Sequence, residues 1–129
     1  MKDQETKIAA VFAKAKQLAE EECKRTAAQY FGGNDGGACG FAWVTVRPAT
    51  GPFVAWCKKQ KALAIANGTR AGTADITYGS KAWNGGWQFW NPGGWGGQSI
   101  DVKEAGAVAF RNVLAMELGL NAETGSRLD

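Results

Sequence analysis

Histidine is the residue whose absence from this sequence excludes most. None of the 129 residues is a histidine. Without an imidazole the chain cannot form a Ser-His-Asp triad, a Cys-His pair or the common zinc-ligand sets. A G-x-x-x-x-G-K-[ST] phosphate loop and a D-x-D-x-D-G calcium loop are also missing. These absences favour a binding protein over an enzyme, and we expect no cofactor and no metal.

Cysteine is scarce, and long apolar runs are missing. Cys23, Cys39 and Cys57 are widely spaced and form no C-x-x-C pair, so we expect no disulfide framework. Cys39 precedes an apolar segment, which favours a buried small side chain over a nucleophile. Residues 1–10 are mostly polar, and no apolar run approaches the length of a membrane span. The predicted location is the cytoplasm, without membrane contact.

The net charge is small, and the excess of Lys and Arg over Asp and Glu lies in residues 1–66. The formal net charge is +3 and the sequence pI is about 8.8. Dedicated nucleic-acid-binding domains usually exceed pI 9 and cluster their Lys and Arg residues. The charge therefore permits contact with phosphates without requiring it.

Hydrophobic periodicity predicts one α+β domain over residues 1–129. The expected architecture is a small mixed three-stranded sheet with helices packed on it. The predicted helices are 4–31, about 52–66 and about 101–118; the predicted strands are 41–46, 87–90 and 120–128. Residues 67–82 show no clear periodicity, so we expect a long loop there.

Two segments carry specific structural expectations. The segment 41–46, FAWVTV, is apolar on both alternating faces, which predicts a central strand covered on both sides. The long amphipathic helix 4–31 has an apolar stripe longer than a three-stranded sheet needs, which predicts a homo-oligomer, most simply a two-fold dimer. Four large side chains are expected in one core: Trp43, Trp56, Trp87 and Phe110.

Glycine and tryptophan are in excess, with 18 and 6 residues respectively. The first candidate site is the glycine-rich loop 32–40, GGNDGGACG, where Asn34 and Asp35 are candidate ligand-binding residues. Glycines let backbone N–H groups approach an anion closely. The alternative is a tight helix-to-strand connection with Asn34 and Asp35 in turn positions.

The second candidate is the segment 76–100, which contains four tryptophans and seven glycines and has Lys81 as its only charge. Its aromatic side chains are suited to stacking on bases or to anchoring a protein interface. The alternative is that they fill the core. Trp87 belongs to the core by strand alternation, whereas Trp83 and Trp95, flanked by glycine and asparagine, are the candidates for a binding surface.

The third candidate joins the start of the last helix to the C-terminus. Ser99 and Asp101 compete for the N-cap of that helix, and Arg127 is a forked donor for carboxylate or phosphate. We expect the loop 32–40, this helix start and the C-terminal strand to converge on one surface. The alternative is that Arg127 forms an ion pair with Asp101 or Asp35.

Several of these segments resemble a group of short proteins encoded by tailed bacteriophages. The similarity lies in YFGGNDGGACGFAWV, WQFWNPGG, QSIDVKEAG and GSRLD, and it covers about residue 28 to the end. The resemblance assigns no role to individual residues. It implies a phage gene product that acts in the cytoplasm of an infected bacterium.

The expected function is that of a non-enzymatic phage accessory protein that sequesters or blocks a host component, either a host protein or a small phosphate-bearing ligand such as a nucleotide. A single-stranded nucleic-acid-binding protein is the alternative, which is less favoured because the aromatic segment and the basic residues lie apart in sequence. An enzyme using Asp35, Asp101 and Glu104 for acid–base work ranks last.

Overall fold

The computed structural model describes residues 2–129, which form four helices and four strands. In chain order they are α1 (Lys2–Phe31), β1 (Gly40–Arg47), α2 (Pro52–Ala66), α3 (Ala71–Tyr78), β2 (Ser80–Lys81), β3 (Trp87–Trp90), α4 (Ile100–Leu118) and β4 (Asn121–Leu128). The α+β class and the long N-terminal helix are confirmed. No helix within residues 2–129 is long and apolar enough to cross a membrane.

The strands form a single antiparallel sheet with the spatial order β2-β3-β1-β4. The predicted three-stranded mixed sheet is therefore wrong in both strand number and direction. The segment from β1 to β4 has the connection order of the split β-α-β arrangement. Each helical crossover, from β1 to β2 and from β3 to β4, joins two strands of the same direction. A strand of opposite direction lies between the two, so every neighbouring pair is antiparallel.

The predicted loop 67–82 is also wrong, because it contains α3 and β2. Only Ala74 of α3 is buried, so this helix has no apolar stripe that a periodicity search detects. The strand β2 has two residues, which pair with Gln88 and Trp87 of β3. Two residues are too few to show the alternation of a strand.

The helices pack on one face of the sheet and form the main core with it. The core side chains that the strands contribute come from that face: Ala42, Val44, Val46, Trp87, Phe89 and Ala122. On α1 they meet Ile8 and Phe12, and on α4 they meet Phe110. Glycine brings the helices close together, since a Cβ at Gly106 of α4 would lie 2.5 Å from Cys23 Sγ of α1.

The opposite face of the sheet carries none of the main-core residues. Phe41 and Trp43 of β1 point there and are only partly buried, so the prediction that β1 is covered on both sides is wrong. The predicted common core is confirmed for Trp87 and Phe110, and Trp56 packs against its edge. Trp43 lies outside it. Cys39 is exposed rather than buried.

Candidate functional site

The loop 32–40, the start of α4 and the end of β4 meet as the sequence predicts. The amide of Gly40 donates to the carbonyl of Gln98 at 3.0 Å, and the amide of Ile100 donates to the carbonyl of Ala38 at 2.9 Å. From the C-terminal end, the amide of Asp129 donates to the carbonyl of Cys39 at 3.0 Å. We call this region the junction.

The carboxylate of Asp35 links the loop 32–40 to the segment that precedes α4. Its Oδ1 accepts hydrogen bonds from the indole N–H of Trp95 at 2.8 Å and from the amide of Ser99 at 2.9 Å, and its Oδ2 accepts from the amide of Gln98 at 2.7 Å. These bonds, led by that of the Trp95 indole, lower the pKa of Asp35 below its ordinary value. The backbone donors that would have held an anionic ligand are thus occupied by the chain's own carboxylate.

The other junction candidates divide into a structural and an exposed group. Ser99 is fully buried, and its Oγ accepts from the amide of Val102 as the N-cap of α4. Asn34 and Asp101 are exposed.

Beside Asp101 a groove of about 650 Å³ runs between α1 and α4. Its wall carries the carboxylates of Asp101, Glu22 and Glu104 and a single cation, Arg25, a charge balance that disfavours a phosphate.

Arg127 does not form the predicted ion pair. Among the ion pairs of residues 2–129, none involves Arg127, and the side chain is exposed. Its guanidinium carbon lies 5.4 Å from the centre of the Phe41 ring on the adjacent strand, within the range of a cation–π contact. Arg127 therefore belongs to the open face of the sheet rather than to a clamp on Asp35 or Asp101.

The two tryptophans chosen as surface candidates differ sharply. Trp95 packs with Phe31 against a small second core made of Cys23, Ala27 and Val102, and its N–H is used by Asp35. Trp83 is 95% exposed, in the turn between β2 and β3. Trp95 has a structural role, whereas Trp83 is free to meet a partner.

Three aromatic side chains, none of which the sequence analysis chose as a binding residue, gather on the open face. Trp43 and Trp90 are paired across β1 and β3, with ring centroids 5.6 Å apart and planes that differ by 3°. Phe41 lies 5.3 Å from Trp90. We call Phe41, Trp43 and Trp90 the aromatic platform; all three are partly exposed.

Gly125 of β4 completes the platform. It is the cross-strand partner of Trp43, and a Cβ at this position would lie 2.4 Å from Trp43 Nε1. Only glycine lets the indole lie against this strand. A glycine in a strand interior marks such a close approach, and it is the sequence signal by which the platform could have been found.

Charge on the open face is positive beside Phe41 and balanced at the far end. Arg127 stands beside Phe41, and the buried Nζ of Lys103 lies 5.1 Å from the same ring while donating to the carbonyl of Gly40. At the far end Arg47 pairs with Glu123 at 2.9 Å and donates to the carbonyl of Gly85. The only carboxylate in the cross-strand rows of this face, that of Glu123, is thus already neutralised.

Comparison of the chain with protein-family models, with curated proteins and with solved structures finds no match.

Proposed function

We propose that this protein is a non-enzymatic accessory protein of a tailed bacteriophage, which sequesters or blocks a host component that carries nucleobases. The aromatic platform is the binding surface. The observation that carries the proposal is the parallel pair Trp43 and Trp90, 5.6 Å apart on an uncovered sheet face. Flat aromatic surfaces stack on bases without regard to sequence.

The chemistry of the carboxylates favours binding over catalysis. Asp35, the first residue of the acid–base alternative, has a lowered pKa because it accepts three hydrogen bonds. A carboxylate with a lowered pKa is a weak general base at neutral pH, and it is ionised and so cannot act as a general acid. The groups that donate to Asp35 all belong to the protein itself, so its position is explained without any bound substrate.

Calorimetric titration with adenosine monophosphate and with a deoxythymidine dodecamer tests this function. We expect Trp43→Ala and Trp90→Ala each to weaken binding about 5- to 150-fold, the equivalent of 1–3 kcal/mol per stacked base. Tyr30→Ala is the matched control, since Tyr30 is a 67% exposed aromatic on α1. Trp43→Phe retains a stacking ring and should retain most of the affinity.

Two results would contradict the proposal. One is that neither probe binds to the folded protein. The other is that the tryptophan variants bind as well as the parent protein while their melting temperatures are unchanged.

A host protein is the second candidate target, and the observation that favours it is the 95% exposure of Trp83. Exposed tryptophans are frequent hot spots of protein interfaces. Affinity purification from expressing bacteria, compared between the parent protein and Trp83→Ala, tests this target. A host protein that is retained by the parent and by Tyr30→Ala, but lost with Trp83→Ala, would support it; equal retention by all three would remove it.

A further inference from the structure

We infer that the ligand of the aromatic platform is a single-stranded nucleic acid, with bases stacked on the solvent-exposed parts of Trp90, Trp43 and Phe41 and a phosphate held by Arg127. This inference rests on the proposed function, because it names the form in which the nucleobases reach the protein.

The position of the rings in the sheet is the first argument. Phe41 and Trp43 lie on β1 and Trp90 lies on β3, and these are the two central strands of the four. RNA-binding four-stranded sheets stack two or three bases on aromatic side chains of one open face. In this protein the helices cover the opposite face of the sheet, so the face that carries the three rings is free.

The shape of the surface is the second argument. Sites for small ligands are concave and bury most of the ligand, whereas the platform lies on the face of a sheet. A mononucleotide on such a face gains one stacking contact. A strand of several nucleotides gains a contact at each ring, and its affinity rises with length until the rings are filled.

The placement of charge is the third argument. Arg127 is exposed, unpaired among the ion pairs of residues 2–129, and adjacent to the Phe41 ring. The groove between α1 and α4 carries three carboxylates and one cation and repels a polyanion. A strand is therefore directed to the sheet face, where a phosphate near Phe41 meets the guanidinium.

Polar groups beside the rings fit the edges of bases. Gln88 of β3 is partly exposed and pairs across the sheet with Thr45 of β1 and Ser80 of β2. Its amide offers both a donor and an acceptor to a base. DNA and RNA strands share all the chemistry named so far, and the 2′-hydroxyl that separates them is tested directly below.

The experiment is a fluorescence-anisotropy titration with a length series of labelled deoxythymidine strands, competed with thymidine monophosphate and with deoxyuridine and uridine strands of equal length, which differ from each other only in the 2′-hydroxyl. We expect the octamer to bind at least about tenfold more tightly than the dimer, because it reaches every ring. Affinity should fall as salt rises, with a slope of about −0.7 in log K against log salt for each phosphate neutralised.

Arg127→Gln removes the charge proposed to hold the phosphate, together with its cation–π contact on Phe41, and leaves all three rings of the platform in place. It should reduce the magnitude of the salt slope by about 0.7, and Arg70→Gln, an exposed arginine at the start of α3 on the helical side, should leave the slope unchanged. An affinity that depends on neither length nor salt would overturn the inference, and if the mononucleotide then bound as tightly as the octamer the proposed function would survive. Absence of binding by every probe would overturn both.

Discussion

Asp35 fastens the junction through an ionised carboxylate, and this makes the stability of the protein depend on pH. The folded-state pKa is lowered, chiefly by the hydrogen bond from the Trp95 indole and then by those from the amides of Gln98 and Ser99. The stabilisation is therefore fully present above the unfolded pKa of about 3.9 and is lost as the pH falls through the lower folded value.

Asp35→Asn should lower the melting temperature at pH 7, because the carboxamide keeps only one acceptor oxygen and no charge. The gap between the two proteins should narrow below about pH 4 and close once Asp35 itself is protonated. Melting curves across this range measure it, with the exposed Asp129→Asn as the control. A gap that stays constant with pH would contradict the role of the charge.

Gly125 is the single residue on which the shape of the platform depends most. Gly125→Ala places a Cβ 2.4 Å from Trp43 Nε1, so the indole must move, at a cost of about 1–3 kcal/mol for overpacking. Gly72→Ala in α3 is the control: nothing lies within 4 Å of its Cβ, and alanine favours a helix by about 0.5–1 kcal/mol. Denaturant unfolding compares them. Equal stability of the two variants would show that Trp43 does not lie against Gly125.

Trp43 also shows what apolar alternation cannot predict. A strand with large apolar side chains on both faces is typical of a central strand covered on both sides. Here Phe41, Trp43 and Trp90 shield one another on an open face, which has the same sequence pattern. Whether such a strand is covered on one face or on both depends on where the helices pack. That packing involves α1 and α4, and the sequence of β1 does not determine it.

Among the elements, α4 has the best-defined ends. Its N-cap is Ser99, whose Oγ accepts from the amide of Val102, and its C-cap is Gly119 in the left-handed conformation. The sequence predicted both ends, although it left Ser99 and Asp101 as competing caps. The N-cap of α2, in contrast, is Gly51, which makes no side-chain cap bond.

Ser99→Ala should destabilise the protein by about 1 kcal/mol, the usual cost of losing an N-cap side chain. Ser126→Ala, at an exposed position of β4, should change stability by less than about 0.5 kcal/mol. Chemical denaturation of the two variants measures the difference. If Ser99→Ala were as stable as Ser126→Ala, the cap would have no energetic role.

The elements that the sequence missed are those with little apolar surface. Residues 71–78 form α3, although only Ala74 is buried, and β2 is defined by its pairing with β3. Long, periodic elements such as α1, α4 and β1 were predicted because burial of one face imposes a repeat on the sequence. Short elements that are held by their neighbours carry no such repeat.

At the scale of the whole molecule, the homo-oligomer stays a prediction. Its premise was surplus apolar surface on α1, but the structure buries that stripe within the chain, largely against α4 and the sheet. The apolar surface left on this side comes from Leu18, Val108 and Met116, the last of them 83% exposed. We expect Met116→Lys to weaken a dimer that forms through these residues. Sedimentation of the parent protein as a 13.7 kDa species alone would remove the prediction.

The proposed binding face joins parts of the chain that are far apart in sequence. Phe41, Trp90 and Arg127 come from β1, β3 and β4, and only the strand order β2-β3-β1-β4 brings them together. The separation of aromatic and basic residues in sequence was the argument against nucleic acid. In the folded sheet Arg127 lies 5.4 Å from Phe41, so for this one basic residue separation in sequence is not separation in space.

An NMR titration of the isotopically labelled protein with a deoxythymidine octamer tests directly whether the aromatic platform binds a strand, by following backbone amides and indole N–H signals. We expect the largest shifts at Trp43, Trp90 and Gly125 and at the amides around Phe41 and Arg127, while the indole of Trp95 at the junction barely moves. Shifts confined to the junction or to the groove between α1 and α4, or no shifts at all, would contradict this expectation.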